Sequence, residues 1–272
     1  MATRLLHLSD LHTGTIEDAA LGRALVQLVE RLAPELIIAS GDLTHRNRRA
    51  QHEKAAALLR SLGAPLLAIP GNHDIPRMPP GRFTRTFAEF EREWKETEPV
   101  HASQSFHVVG LNSVRPWRQQ SGGLRRSQLR WAAERLREAA PGALRVVALH
   151  HHMIGAPWRT RKKPVAERNR VLGSLVDSGA ELVLAGHTHQ GAVSERREFE
   201  VVHGDVGAVL VSVAPGLGQP RPRRRGEARG LHVYEAAEHT VAVSTYIWRD
   251  GDWALTAERL FPRGMRPLRA ES

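Results

Sequence analysis

Along the first two-thirds of the chain, short apolar runs alternate with longer stretches whose apolar residues recur every three or four positions. Six runs have the length and branched-residue content of buried strands: residues 4–9 (RLLHLS), 35–40 (ELIIAS), 65–70 (PLLAIP), 105–111 (SFHVVGL), 145–150 (RVVALH) and 181–186 (ELVLAG). Residues 19–32, 51–62, 127–139 and 167–178 carry the helical period between them. Strands that alternate with helices predict βαβ units and a largely parallel sheet, with ligands gathering beyond the carboxyl ends of the strands. After Gly191 the pattern changes. Residues 200–215 and 230–248 are strand-like with no helix between them, which predicts antiparallel hairpins over 192–262 that complete a second sheet. The Pro-, Gly- and Arg-rich stretch 218–230 (GQPRPRRRGEARG) between them predicts a surface loop. No internal repeat or composition shift divides the chain, so one domain over 1–272 is expected, with a motif-bearing core over 1–191.

Composition narrows the class. The chain has 272 residues, 41% hydrophobic and 25% charged, as in ordinary soluble globular proteins. No apolar stretch approaches the roughly 20 residues of a spanning helix, and the run in MATRLLHLSD is too short for a signal-peptide core, so the expected location is cytoplasmic with no membrane partner. With no cysteine, disulfides are excluded and any metal site must use nitrogen and oxygen ligands. The formal charge of +10, mostly from arginine, suits a polyanionic partner, although solvated basic faces give the same composition.

Five polar stretches interrupt this pattern at the ends of predicted strands: SDLH with Asp10 and His12, SGDLT with Asp42, GNHD with Asn72 and His73, ALHHH with His150, and AGHTH with His187 and His189. Singly, each has a plain structural reading, a satisfied buried histidine or a Gly-Asp turn. An apolar strand gives no structural reason for two imidazoles two residues apart at its exit, as in GHTH. Together the five gather carboxylates, an amide and imidazoles, a donor set suited to Mn, Fe, Zn or Co.

The order D-x-H, GD, GNH[DE], H, GHxH across residues 10 to 189 resembles the signature of the calcineurin-like metallophosphoesterases. That resemblance implies an α/β fold, a four-layer αββα sandwich of two mixed sheets flanked by helices, with a dinuclear metal centre at the strand ends. It implies that Asp10, His12 and His189 hold one metal, Asn72, His150 and His187 the other, and that Asp42 bridges them. Two divalent ions bring +4, and two carboxylates with a bridging hydroxide bring −3, leaving about +1 to meet a phosphate. An aspartate at position 72 would cancel that charge, whereas Asn72 supplies a hard oxygen without doing so. His73 is implied as the group that protonates the departing oxygen. Asp74 would hold that imidazole in orientation, with a turn-capping role as the alternative. His151 and His152 stand beside the ligand set as supporting, substrate-facing or plain loop histidines.

The resemblance implies a metal-dependent phosphoesterase. Chain length and short loops are closest to the bacterial cyclic-nucleotide phosphodiesterase-like branch, and so to a small phosphate-ester substrate such as a 3′,5′-cyclic nucleotide. His45, where many relatives carry an acidic or small polar residue, and the Arg-rich stretches WRTRKK and PRPRRR fall outside that pattern. The basic charge keeps a nuclease of the same superfamily as the alternative, though no added nucleic-acid-binding domain is visible. A non-catalytic scaffold of the same fold would be expected to lose ligands, and here the set is complete.

Overall fold

In the computed structural model, which describes residues 3–15, 18–118, 120–155, 160–196, 209–218 and 227–263, β1 (Thr3–Leu8), β2 (Leu36–Ala39) and β3 (Leu66–Ala68) pair in parallel. α1 (Ala19–Leu32) and α2 (Arg49–Arg60) connect them. The start of α1 is fixed by Asp18, whose carboxylate accepts from Ala20 N and Leu21 N, and its end by Ala33 in the left-handed region at φ 43°. Leu21, Leu25, Leu28 and Val29 then share one buried face. A second parallel group holds β5 (Phe106–Leu111), β6 (Leu144–Leu149) and β7 (Leu182–Ala185), linked by α5 (Arg126–Arg137) and α6 (Arg168–Asp177).

Each group grows into a mixed six-stranded sheet. One has the order β12-β11-β10-β1-β2-β3, with β10 (Gly230–Ala236), β11 (Thr240–Arg249) and β12 (Asp252–Pro262) added antiparallel. The other has the order β4-β5-β6-β7-β9-β8, with β4 (Val100–Ala102), β8 (Ala192–Arg196) and β9 (Val209–Val213). The expectation that the strands after Gly191 complete one sheet is therefore corrected: β8 and β9 join the β5–β7 sheet, while β10 to β12 extend the β1 sheet. Apolar patterning marks a strand but not its partner.

Three apolar cores account for four layers. Leu5, Leu36, Ile38 and Tyr234 of one sheet meet Phe106, Val146 and Leu184 of the other in the core between the sheets. Leu25 and Leu28 of α1 pack on the outer face of the first sheet with Leu6, Leu8 and Ile37. Leu129 and Leu136 of α5 and Val171 and Leu175 of α6 cover the second sheet. Central strands are thus apolar on both faces, which is why the sequence shows continuous runs and not alternation. At about 1.5–3 kcal/mol for each fully buried aliphatic side chain, these interfaces dominate the folding free energy.

The four expected helices form within two residues of their predicted bounds. Two short helices, α3 (Gly81–Thr84) and α4 (Ala88–Trp94), and the edge strand β4 were not expected, since each is too short to establish a period. No helix among the described residues is long and apolar enough to cross a membrane. Residues 200–208, Trp158 and Arg159 of WRTRKK, and the cluster Arg221, Arg223, Arg224 and Arg225 lie outside the described residues.

Candidate metal centre

The loops that leave β1, β2, β3, β6 and β7 meet beyond the carboxyl ends of these strands. Backbone hydrogen bonds knit them together: Asp10 N donates to Gly41 O at 2.9 Å, His12 N to Asp42 O at 2.9 Å, and Gly186 N to His150 O at 3.0 Å. The approach is so close that a Cβ on Gly71 would lie 2.1 Å from Asp42 N, which explains the glycine before Asn72. Five of the candidate ligands sit at positive φ: Asp10 at 54°, His12 at 46°, Asp42 at 50°, His187 at 73° and His189 at 59°. For a side-chain-bearing residue this conformation costs about 1–2 kcal/mol. Such strain persists where surrounding structure dictates the direction of a side chain, as at functional sites.

Those directions converge. Asp10, His12, Asp42 and His189 form one buried group able to hold a cation, and Asp42, His150 and His187 form another. Asp42 belongs to both. In the first group, His12 Nε2 lies 3.0 Å from His189 Nε2, 3.8 Å from Asp10 Oδ1 and 3.7 Å from Asp42 Oδ2, and His189 Nε2 lies 3.1 Å from Asp10 Oδ1. In the second, His150 Nε2 is 3.3 Å from Asp42 Oδ1, 3.3 Å from Asn72 Oδ1 and 3.2 Å from His187 Nδ1. Asn72 Oδ1 thus lies beside the second group, next to His150.

The donors fit divalent cations on their own chemistry. Each carboxylate spends one oxygen on the backbone: Asp10 Oδ2 accepts from His187 N and Asp42 Oδ1 from His73 N, both at 2.8 Å. The other oxygens, Asp10 Oδ1 and Asp42 Oδ2, are buried without an aligned hydrogen-bond donor among the described residues. Buried orphan oxygens beside nitrogen lone pairs are costly unless a cation meets them. The far nitrogens of two imidazoles are anchored on carbonyls, His150 Nδ1 donating to Ser40 O at 2.8 Å and His187 Nε2 to Gln120 O at 3.0 Å. That fixes which nitrogen faces the cluster.

Electrostatics follow from the same contacts. Burial pushes the Asp42 carboxyl up, but the imidazoles of His150 and His73 outweigh it and hold it well below the usual carboxylate range. At Asp10 burial is likewise outweighed, here by His189 and His150. Burial would lower His150, yet the Asp42 and Asp10 carboxylates raise it to about 9. Burial keeps His12 and His187 well below the ordinary histidine value and therefore neutral. Metal-free, the centre stores protons where bound cations would place positive charge.

His73 borders the two groups that share Asp42, and with His12 and His45 it makes a third, less buried cluster able to hold a cation. Its ring meets His12 edge-on at 4.8 Å and stacks on His45 at 5.6 Å, and its Nδ1 donates to His45 O at 2.8 Å. Asp74 does not orient it. The Asp74 carboxylate is fully buried and accepts from Leu43 N at 3.1 Å, Thr44 N at 2.8 Å, Gly71 N at 2.8 Å and Thr44 Oγ1 at 2.9 Å. The turn-capping alternative replaces the orienting role, because these donors consume both oxygens.

His151 Nδ1 shares a 2.8 Å hydrogen bond with Ser113 Oγ, and His152 stacks on His187 with centroids 5.6 Å apart. Burial first, then the His150 charge, lowers His151, and lowers His152 to about 4. Both are neutral packing partners of the ligand imidazoles. Lys162 of the WRTRKK stretch also reaches this region electrostatically: after burial, its ammonium is the next largest influence holding His187 down. The orienting carbonyls of Ser40, His45 and Gln120 have no signature in sequence, since any residue supplies a carbonyl.

With this geometry in view, comparisons place the chain among known proteins. A sequence model of the calcineurin-like phosphoesterase family matches residues 3–191. A probable cyclic nucleotide phosphodiesterase of Synechococcus is 30% identical over 72% of this chain and 77% of its own length. The 3′,5′-cyclic adenosine monophosphate phosphodiesterase CpdA of Escherichia coli is 26% identical over 69% and 70%. Among solved structures, a dimetal phosphatase from Danio rerio superposes with a TM-score of 0.65 at 12% identity, covering 96% of this chain and 99% of its own. A purple acid phosphatase from yellow lupin gives a TM-score of 0.73 at 11% identity over 97% of this chain, which spans 54% of that enzyme. At such identities the structures speak only for the fold, but the family match spans every strand-end motif from Asp10 to His189, and the chain belongs to the calcineurin-like phosphoesterase family.

Proposed function

We propose that this chain hydrolyses a small phosphodiester of the 3′,5′-cyclic nucleotide class at a two-metal centre. The observation that carries the reading is Asp42, one carboxylate shared by two donor groups. Asp10, His12, His189 and Asp42 would hold one ion, and Asp42, Asn72, His150 and His187 the other. Two bound divalent ions, drawn from Mn, Fe, Zn and Co, would lower the pKa of a water and neutralise phosphoryl oxygens.

The remaining chemistry falls to the chain's own groups. Asp42 Oδ1 accepts from His73 N at 2.8 Å, so the carboxylate shared by the two groups also fixes the backbone from which the His73 imidazole projects. A carbonyl can only accept, so Nδ1 of His73 donates to His45 O and Nε2 is the nitrogen left to face the departing oxygen; in the doubly protonated imidazolium its N–H would pass to that oxygen, leaving the neutral Nδ1–H imidazole. Two relatives carry the substrate class. They are named as cyclic nucleotide phosphodiesterases and match this chain over about seven-tenths of its length.

The test is turnover by purified protein loaded with Mn, Fe, Zn, Co or Mg. Substrates are 3′,5′-cyclic nucleotides, nitrophenyl monoesters and diesters, and single-stranded DNA. Faster hydrolysis of cyclic nucleotide and simple diester than of monoester supports the reading. Cleavage of DNA with cyclic nucleotide untouched would favour the nuclease that the +10 charge allows.

A further inference from the structure

We propose that Glu227 is a positioning residue of the metal centre. Its carboxylate faces His189 Nδ1 at ion-pair distance, favours the proton on that nitrogen, and so keeps the Nε2 lone pair of the imidazole turned toward Asp10 and His12. The inference rests on the two-group reading of the centre and concerns a residue beyond the 3–191 span that the family match covers.

Glu227 Oε2 lies 3.7 Å from His189 Nδ1, within ion-pair reach, and both side chains are only 4% exposed. On the opposite side of the same ring, Nε2 lies 3.1 Å from Asp10 Oδ1 and 3.0 Å from His12 Nε2. An imidazole with a carboxylate at one nitrogen and a ligand cluster at the other has its tautomer and orientation set from behind, and its basicity raised. His150 and His187 instead have backbone carbonyls behind them, those of Ser40 and Gln120. Glu227 thus adds a carboxylate to the group that already contains both Asp10 and Asp42. That asymmetry predicts that the two ions are held unequally.

Backbone and side-chain contacts hold the described residues that flank 219–226. Leu217 N donates to Ser9 O at 2.9 Å and Gly218 N to Asp10 O at 2.7 Å, so the chain before the Arg-rich stretch is laid along the Asp10 loop. After it, Arg229 Nη1 donates to Asp18 Oδ2 at 2.7 Å, and Gly230 N to Gly216 O at 2.9 Å. Residues 217–218 are therefore tied to the Asp10 loop and residues 229–230 to Asp18 and Gly216, and Glu227 is the acidic side chain beside the second of these segments.

The experiment compares wild-type protein with Glu227→Ala and the near-isosteric Glu227→Gln. Mn is the probe, its stoichiometry and affinity are measured against a competing chelator, and thermal unfolding of each metal-free protein is followed in parallel. Glu227→Ala should weaken one of two Mn ions about 10–100-fold, leave the other near wild-type affinity, and leave metal-free unfolding unchanged. Glu227→Gln, which still offers an oxygen to Nδ1 but no charge, should fall between. Wild-type affinity at both ions in both variants overturns the inference, as does equal weakening of both ions accompanied by a lower unfolding temperature. Wild-type protein that takes up no Mn would overturn the reading of the centre itself, an outcome distinct from the other two.

Discussion

The Asp74 carboxylate satisfies three backbone N–H groups and one hydroxyl, all on loops that carry the metal-binding residues. Deleting it leaves buried donors unpaired, at about 1–3 kcal/mol for each group that finds no water. Asp74→Ala should therefore destabilise metal-free protein by about 3 kcal/mol, read as a lower urea midpoint; an unchanged midpoint would show that the network is dispensable. Its neighbour His73 should behave oppositely. Among the described residues its imidazole is anchored by a carbonyl at the edge of both donor groups, so His73→Ala should retain metal and stability. Its rate should fall about 10²–10⁴-fold, and further for more basic leaving groups. Equal losses for nitrophenolate and alkoxide leaving groups would argue against proton donation, and loss of metal would argue for ligation.

At the scale of elements, the centre exists because five strand-to-loop junctions crowd together, and glycines permit it. Gly71→Ala would put a methyl group 2.1 Å from Asp42 N and 2.3 Å from Asp42 Oδ1. The β2 and β3 loops must then part. We expect a loss of about 1–3 kcal/mol in stability together with weakened metal binding, measured by urea unfolding and chelator competition. Gly155→Ala, where nothing lies within 4 Å of the added carbon, serves as the control and should change neither.

The strands and the candidate ligands at these junctions were legible in sequence because each polar stretch ends an apolar run. Asp10, Asp42 and the GHTH histidines are conspicuous against such runs. The duty of Asp74 was only half legible: a local cap was one of two readings, but its partners Leu43 and Thr44 lie about thirty residues back and are found through backbone N–H groups. Nor was the sorting of the last strands. Val209–Val213 and Gly230–Ala236 read alike as strands, yet one pairs with β7 and the other with β1, a choice made by long-range packing. Glu227 was hidden among arginines in a stretch whose composition suggests only a loop.

For the whole molecule, protons and metal compete for the same buried charge sites. In metal-free protein the Asp42 and Asp10 carboxylates raise His150 from 6.5 to about 9. Its charged form therefore contributes stability in full below about pH 6.5, and that contribution is lost as the pH rises through about 9. Metal binding has the opposite slope, because the imidazole must release that proton to become a ligand. Metal affinity should accordingly increase by up to about tenfold per pH unit between pH 7 and 9 while metal-free stability declines, as chelator competition and thermal unfolding would record. Affinity independent of pH over this window would mean that His150 is not a ligand.

The most direct test is metal analysis of wild-type protein beside Asp42→Asn. Asp42 is common to the two donor groups, with one oxygen 3.3 Å from His150 Nε2 and the other 3.7 Å from His12 Nε2. Two ions per chain in the active wild type, with occupancy and phosphodiester turnover both collapsing in Asp42→Asn, is the predicted result. Full activity with one ion or none, or an Asp42→Asn protein that keeps both ions and its turnover, would contradict a centre built on a shared carboxylate.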